Sequence, residues 1–539
     1  MERLARLAPD QRAAATAPPG PILCVAPAGS GKTTTLVARI AWRLDQGVPP
    51  GSITAITFNR RAAEELATRL DAAIAPLGIE AGAVRVKTFH ALALQILRDA
   101  RGGTPDLADR DAVLREVCPE ASAAERRRLD TAFSRLKLEL RVSAEAVASD
   151  PDAGPVARAF VAYEAALVAS GTVDFDDLVP RALTLLETDA AVAARWREHC
   201  SELFVDEVQD VDRTQLDLAL ALAVPDHRIF LVGDDDQSIY GWRLADVRRV
   251  LALGDRLPGL RRVDLEVNHR CPAPVVERAV RLVGHNHERF FKRIRPSPRA
   301  AGTLTLAPDR SDEVDAIGRV MATWPPEADA AVLARTNRDL RPAVFAAVEG
   351  RRAFRPPPVA LLVGSAHVDA ILDRVDAETD PTLPLLVRVA AVRRSIATEA
   401  TSDDDDDDPD TAPPRVAEAL LGWAAGFDDL ERLRGAIAAM RSQIEALCRE
   451  EAPLTFATAH ATKGLEFDHV VVVGMEVNRF PSARSVTEAV EPGRALEEER
   501  RLGYVAWTRA RRSLTLLYDP AVPSPFLLEA FSPQELGLG

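Results

Sequence analysis

Residues Ala26–Thr34 read APAGSGKTT, set between the apolar run PILCV (Pro21–Val25) and the helical pattern TTLVARIAWRL (Thr34–Leu44). A glycine-rich turn between a strand and a helix points backbone N–H groups at phosphate oxygens, and the positive end of the helix favours an anion there. Ala28, Gly29, Ser30 and Gly31 form the cradle. Lys32 is placed to reach the outer phosphates of a nucleotide, Thr33 offers a hydroxyl to Mg2+, and Thr34 opens the helix. Ala26 stands where the pattern has its first glycine. Pro27 stiffens φ in the loop but leaves Gly29 and Gly31 in place.

Outward from that loop, short apolar runs alternate with longer helical patterns, which predicts a parallel sheet covered by helices. PILCVA, ITAITF, VRVKTF, ELFVDE and RIFLVGD are the strand candidates of a first block. Each ends where polar residues begin, at the strand end where open α/β sheets bind ligands. A second block, starting near Arg261, offers GTLTLA, AAVLAR, LTFATAH, DHVVVVGM and SLTLLY. Inside the first block, between Ala91 and Thr172, the pattern turns helical, with AERRRLDTAFSRLKLEL as its clearest amphipathic piece.

The 539 residues suffice for several cores, and 47% hydrophobic with 27% charged is an ordinary globular composition. MERLARLAPDQ has no apolar leader segment, and no run approaches the ~18 residues of a membrane span, so a soluble cytoplasmic protein without a membrane role is expected. The five cysteines lie far apart without a CxxC pair, arguing against a disulfide framework and a metal cluster. The net charge of −14 weighs against a polyanionic partner, but Asp403–Asp408 alone supplies six of those charges in a segment read as a disordered linker.

Two carboxylates follow the strand candidate in LFVDEVQD (Leu203–Asp210). Asp206 can hold Mg2+, and Glu207 can orient and deprotonate an attacking water, the division of labour that phosphoryl transfer needs. Arginines that stabilise charge developing on a transferred phosphate are sought in LEVNHRCP, at Arg270, and in EEERRLGYVAWTRA, at Arg509. VGDDDQSIYGWR (Val232–Arg243) joins three carboxylates and Gln237 to Tyr240, Trp242 and Arg243, an aromatic and cationic group suited to base stacking. HNHERFFKRIRPSPR (His285–Arg299) interleaves basic residues with Phe290 and Phe291, the composition either of a groove that tracks a nucleic-acid backbone or of a solvated helix end.

Taken together, APDQRAA, APAGSGKT, AITFNRRAAEE, KTFHALA, VDFDDLV, LFVDEVQD, VGDDDQSIYGWR, LEVNHRCP, TAHATKGLEFDHVVVVGMEVNRFPS and EEERRLGYVAWTRA run in one order over nearly the whole chain. The set closely resembles the superfamily 1 DNA helicases of the UvrD/Rep/PcrA type. The resemblance implies an α/β fold of two RecA-like P-loop NTPase subdomains with helical insertions. ATP and Mg2+ are the implied cofactors, with ATP between the two subdomains, and the implied activity is 3′ to 5′ movement on single-stranded DNA in repair, replication or recombination. By match to the motifs, Gln11 reads the adenine, His269 takes the place of a tyrosine stacked on it, Gln237 senses the γ-phosphate, Arg270 and Arg509 are arginine fingers, and Glu466 contacts the ribose. DNA contacts fall on Phe58, Asn59, Thr88, Phe89, His90, Tyr240, Trp242, Arg243, Thr458 and His460.

The expected division is a first RecA-like subdomain over 1–90 and 173–265, a helical insertion over 91–172, a second RecA-like subdomain over 266–350 and 453–520, a reduced second insertion over 351–452 and a tail over 521–539. The second insertion is short for the family and contains the acidic linker, about 398–414. Expected partners are single-stranded DNA, its junctions with duplex and repair or replication proteins, at the nucleoid. Three readings stay open: a helicase, a translocase that strips proteins from DNA or acts on RNA with little unwinding, and a non-hydrolysing binding subunit.

Overall fold

The computed structural model describes residues 2–149, 153–399 and 412–538; the run Asp403–Asp408 lies outside them. The chain divides into two compact units, one running to Ala300 and the other from Ala301.

The first unit is built on a six-stranded sheet of β1 (Ile22–Val25), β2 (Ile53–Thr57), β3 (Arg85–Thr88), β4 (Glu202–Val205), β5 (Ile229–Gly233) and β6 (Arg261–Asp264), in the order β3-β2-β4-β5-β1-β6 with every pairing parallel. The strand candidates of the first block are thus strands. β1, β2, β4 and β5 are buried along their length, so they read as continuous apolar runs. Side chains alternate across the sheet. Leu23 and Val25 enter a core with Phe89, Leu92 and Leu183, while Ile22 and Cys24 enter one with Leu36, Ile40 and Leu66. β6 was not legible as a strand because its sequence, RRVD, sits at a sheet edge with two exposed arginines.

The helical insertion has its own core of Leu114, Phe133, Phe160, Tyr163 and Leu167. The unit does not stop at residue 265. Glu266–Ala300 packs with it through β7 (Val267–Asn268), which pairs with β8 (Arg295–Pro296), and through His269, whose N–H donates to Gly29 O at 2.8 Å. The expected boundary therefore moves to Ala300, because the loop after β7 closes onto the phosphate loop.

The second unit contains a parallel sheet of β9 (Thr303–Pro308), β10 (Ala330–Ala334), β11 (Leu454–Thr458), β12 (Phe467–Val472) and β13 (Ala510–Tyr518), ordered β11-β10-β12-β13-β9. All five strand candidates of the second block are present. Helices Ala366–Glu378, Leu385–Glu399, Pro413–Ala424 and Leu430–Leu447 form a separate core around Val368, Val389, Leu420 and Leu433. The expected tail is instead part of the unit: helix Pro525–Ala530 buries Phe526 and Leu527, and Phe531 packs against Trp507. Among the described residues no helix is long and apolar enough to cross a membrane.

Candidate functional site

The phosphate loop joins β1 to helix Lys32–Asp45. Gly29 and Gly31 have φ of 68° and 84°, a backbone conformation that side chains resist. Space forbids them too. A Cβ on Gly29 would lie 2.6 Å from Asn268 Oδ1, and one on Gly31 2.5 Å from Gln11 Nε2. Gln11 is thereby part of the loop wall, its Nε2 donating to Ser30 O at 2.8 Å and its Oε1 accepting from Ala8 N–H at 3.1 Å. A cavity of about 670 Å3 opens beside Gln11, Thr33 and Thr34 and runs over Val37, Ala41 and Trp42. Its apolar lining suits a nucleotide base.

Asp206 and Glu207 follow β4. Lys32 Nζ stands 3.3 Å from Glu207 Oε2, so the phosphate-loop lysine and the carboxylate meant for water face each other directly. Glu207 holds φ at 51°, a left-handed conformation that costs a non-glycine residue roughly 1–2 kcal/mol. Burial first, and Glu207 second, push the Asp206 carboxyl up to about 7, with Lys32 opposing them. Thr33 hydroxyl and Asp206 carboxylate are hard oxygen donors and fit Mg2+, which takes few protein ligands and completes its shell with phosphate and water. No group of three or more His, Cys, Asp or Glu suited to a metal occurs among the described residues.

Two residues passed over in the sequence organise this centre. Gln209 is buried. Its Nε2 donates to Glu207 Oε2 at 2.7 Å and its Oε1 accepts from Asp234 N–H at 2.9 Å. Asn268 Oδ1 accepts from the N–H groups of Arg270 and Cys271, both at 2.8 Å, and so sets Arg270 beside Gly29. Both stood inside quoted motifs, but they reach Asp234 and Gly29, far along the chain, which local spacing does not show. Gln237 Nε2 donates to Asp234 Oδ2 at 2.6 Å. His269 is exposed.

A second cavity in the first unit, of about 560 Å3, is lined by Phe58, Asn59, Thr88, His90, Trp242 and Arg243, among others. Phe58 and Tyr240 stack at 5.1 Å and 8°, Trp242 meets Tyr240 edge-on, and the Arg243 guanidinium lies 4.6 Å over the Trp242 ring. Trp242 is 62% exposed, a large aromatic face turned to solvent. Phe175, another residue that the sequence reading passed over, stacks on His90 at 4.0 Å. Burial pushes His90 down to about 4, leaving a neutral ring near pH 7. Three expected DNA contacts have other duties. Phe89 is 2% exposed and belongs to the core, a correction to the base-stacking role, because it opens a helix that packs under the sheet. Asn59 and Thr88 use their side-chain oxygens as helix N-caps, accepting from Ala62 and Ala91 N–H.

Within His285–Arg299, read either as a backbone groove or as a solvated helix end, two of the cations turn inward. Lys292 is buried against Asp234, Asp235 and Asp236, and Arg289 is bidentate to Asp236, so these cations answer carboxylates within the protein.

In the second unit, Thr458 ends β11 and His460 lies in the turn after it, whereas Glu466 and Arg509 precede β12 and β13, at the opposite ends of these parallel strands. Glu466 pairs with Arg511 at 3.4 Å. The Arg509 guanidinium is buried and donates to Val505 O and Leu465 O. Burial, then Arg335 and Lys463, push His460 down to about 4.

Comparison with known proteins agrees with this arrangement. Residues 7–258 match the UvrD/REP helicase N-terminal domain and 430–520 the UvrD-like helicase C-terminal domain. DNA helicase II of Escherichia coli is 29% identical, the alignment covering 94% of this chain and 84% of the relative. The ATP-dependent DNA helicase UvrD2 of Mycobacterium tuberculosis is 32% identical over 95% and 78%. The ATP-dependent DNA helicase Rep of Escherichia coli is 27% identical over 97% and 94%.

Proposed function

The chain belongs to the UvrD/Rep family of ATP-hydrolysing DNA helicases, and on that premise we propose that it moves 3′ to 5′ along single-stranded DNA and opens duplex at its junctions. One observation carries the reading. Gln237, bonded into the catalytic centre, is followed within a few residues by the Tyr240–Trp242–Arg243 platform, which stacks on Phe58. A change at the terminal phosphate has a short covalent path to the surface that holds bases, the coupling a translocating motor needs.

In this mechanism Lys32 and the N–H groups of the loop bind the ATP phosphates, and the cavity beside Gln11 receives the base. Thr33 and Asp206 would hold Mg2+, which would supply charge neutralisation at the phosphates. Glu207 orients the attacking water and takes its proton, which requires Lys32 to leave Glu207 for the phosphates. Arg270, set by Asn268 at the edge of the loop, stabilises charge developing on the transferred group. The roles of Arg509, Glu466, Thr458 and His460 rest on the family motifs alone. Phe58, His90, Tyr240, Trp242 and Arg243 hold bases by stacking, which tolerates any sequence. The protein works in repair, replication or recombination, in the cytoplasm at the nucleoid.

A second reading, a translocase with little strand separation, is favoured by the compact four-helix insertion of the second unit. Strand separation on duplexes with a 3′ or a 5′ tail, beside translocation on single strands, tests both. Unwinding from the 3′ tail supports the helicase, translocation without unwinding supports the second reading, and preference for the 5′ tail overturns the polarity.

A further inference from the structure

Asp234, Asp235 and Asp236 are three consecutive carboxylates at the end of β5, all buried. Burying like charges together is costly unless cations answer them, and removing one partner from such a cluster leaves an uncompensated charge. Here Lys292 answers all three, from the loop after helix Ala273–Val283. Its Nζ is 2.8 Å from Asp234 Oδ1, 3.0 Å from Asp236 Oδ2 and in contact with Asp235 Oδ1, with the side chain inaccessible to solvent. Arg289 adds two bonds to Asp236, at 2.9 and 2.7 Å, and Phe290 N–H donates to Asp235 at 2.8 Å. Burial alone would push the Lys292 ammonium down, but the three carboxylates outweigh it and hold it above its ordinary value.

The three carboxylates are not equivalent. Asp235 is bound by Lys292 and the Phe290 backbone, and Asp236 by the two cations. Asp234 alone faces the catalytic centre as well. Its Oδ2 accepts from Gln237 Nε2 at 2.6 Å, and its N–H donates to Gln209, which in turn donates to Glu207 Oε2, the atom that Lys32 faces at 3.3 Å. Lys292 thus holds the Asp234 carboxylate that accepts from Gln237, and the backbone of the same residue links through Gln209 to Glu207.

We propose that Lys292 is a positioning residue for ATP turnover: by fixing Asp234 it sets the amide of Gln237 and, through Gln209, the carboxylate of Glu207. The proposal rests on the reading of this site as an ATPase. Gln237 presents a side chain with several rotatable bonds, and a carboxylate pinned by a buried ammonium gives it one acceptor at a fixed point. Fixing a reacting group to within a fraction of an ångström is worth orders of magnitude in rate.

The experiment compares two substitutions with the same change of charge in the same cluster, Asp234→Asn and Asp235→Asn, together with Lys292→Met, Lys292→Arg and Glu207→Gln. Turnover and the KM for ATP are measured with and without single-stranded DNA, and melting confirms folding. Asp234→Asn and Lys292→Met are expected to lower DNA-stimulated kcat roughly 10- to 100-fold with KM little changed. Asp235→Asn is expected to keep kcat within about threefold, and Lys292→Arg to recover part of what Lys292→Met loses. Equal losses in the two asparagine variants would reduce the cluster to a structural role and overturn the proposal, even where Lys292→Met fails to fold. A dead Glu207→Gln beside a fully active Asp234→Asn overturns the positioning role alone. An active Glu207→Gln overturns the ATPase reading and the proposal with it.

Discussion

Gln209 bridges Glu207 and Asp234, donating from Nε2 to the carboxylate at 2.7 Å and accepting at Oε1 from the Asp234 backbone at 2.9 Å. It ties the ends of β4 and β5 together at the point where the candidate catalytic carboxylate and the candidate phosphate sensor must act in concert. The bridge has a steric requirement as well as a chemical one.

That requirement falls on Gly233. A Cβ there would lie 2.3 Å from Gln209 Oε1 and 2.9 Å from Val208 Cγ1, with Val208 N at 3.2 Å. Gly233→Ala is expected to destabilise the first unit by about 1–3 kcal/mol and to lower kcat by displacing Gln209. Thermal melting and steady-state ATP turnover check this. An alanine variant as stable and active as the parent would contradict the bridge.

Trp242 carries the second prediction. Its exposed ring, with Arg243 over it and Tyr240 at its edge, is the surface best placed to take a base. Trp242→Ala is expected to weaken single-stranded DNA binding by about 1–3 kcal/mol. ATP binding should stay as it was. Fluorescence anisotropy with a labelled oligonucleotide, beside nucleotide titration, separates the two, and unchanged DNA affinity would move the platform elsewhere.

The third concerns pH. The Asp206 carboxyl is pushed up to about 7 by burial and by Glu207, so on the acid side of neutrality it keeps a proton that a divalent cation must displace. Affinity for Mg2+ is expected to fall as pH drops below 7, by up to about tenfold per unit, with proton release on binding, and to level off above 7. Calorimetric titration of Mg2+ with nucleotide in buffers of different ionisation enthalpy measures the proton count. Release of no proton near pH 6.5, about half a unit below that value, would remove Asp206 from the metal.

Much of this was legible in the sequence. The strands buried on both faces announced themselves as apolar runs, and the phosphate loop, Asp206 and Glu207 sit where their motifs put them. What escaped has a common physical cause. β6 is a short charged edge strand, and Gln209 and Asn268 reach Asp234 and Gly29 far along the chain, so neither shows in local composition or spacing. Phe89 and Lys292 show the reverse failure. An aromatic residue at a strand end was expected at DNA, and a lysine among aromatics left a nucleic-acid groove or a solvated helix end open, yet the first opens a helix packed into the core and the second answers carboxylates fifty-odd residues earlier in the chain. Sequence reveals residue type and spacing, but which side of the fold a residue faces is decided by partners far along the chain.

The most direct test of the central claim is ATP turnover with and without single-stranded DNA, for the parent and for Glu207→Gln. The account predicts strong stimulation by DNA in the parent and loss of roughly 100-fold or more in the variant, with ATP still bound. A parent rate indifferent to DNA, or a variant that turns over as the parent does, would contradict it.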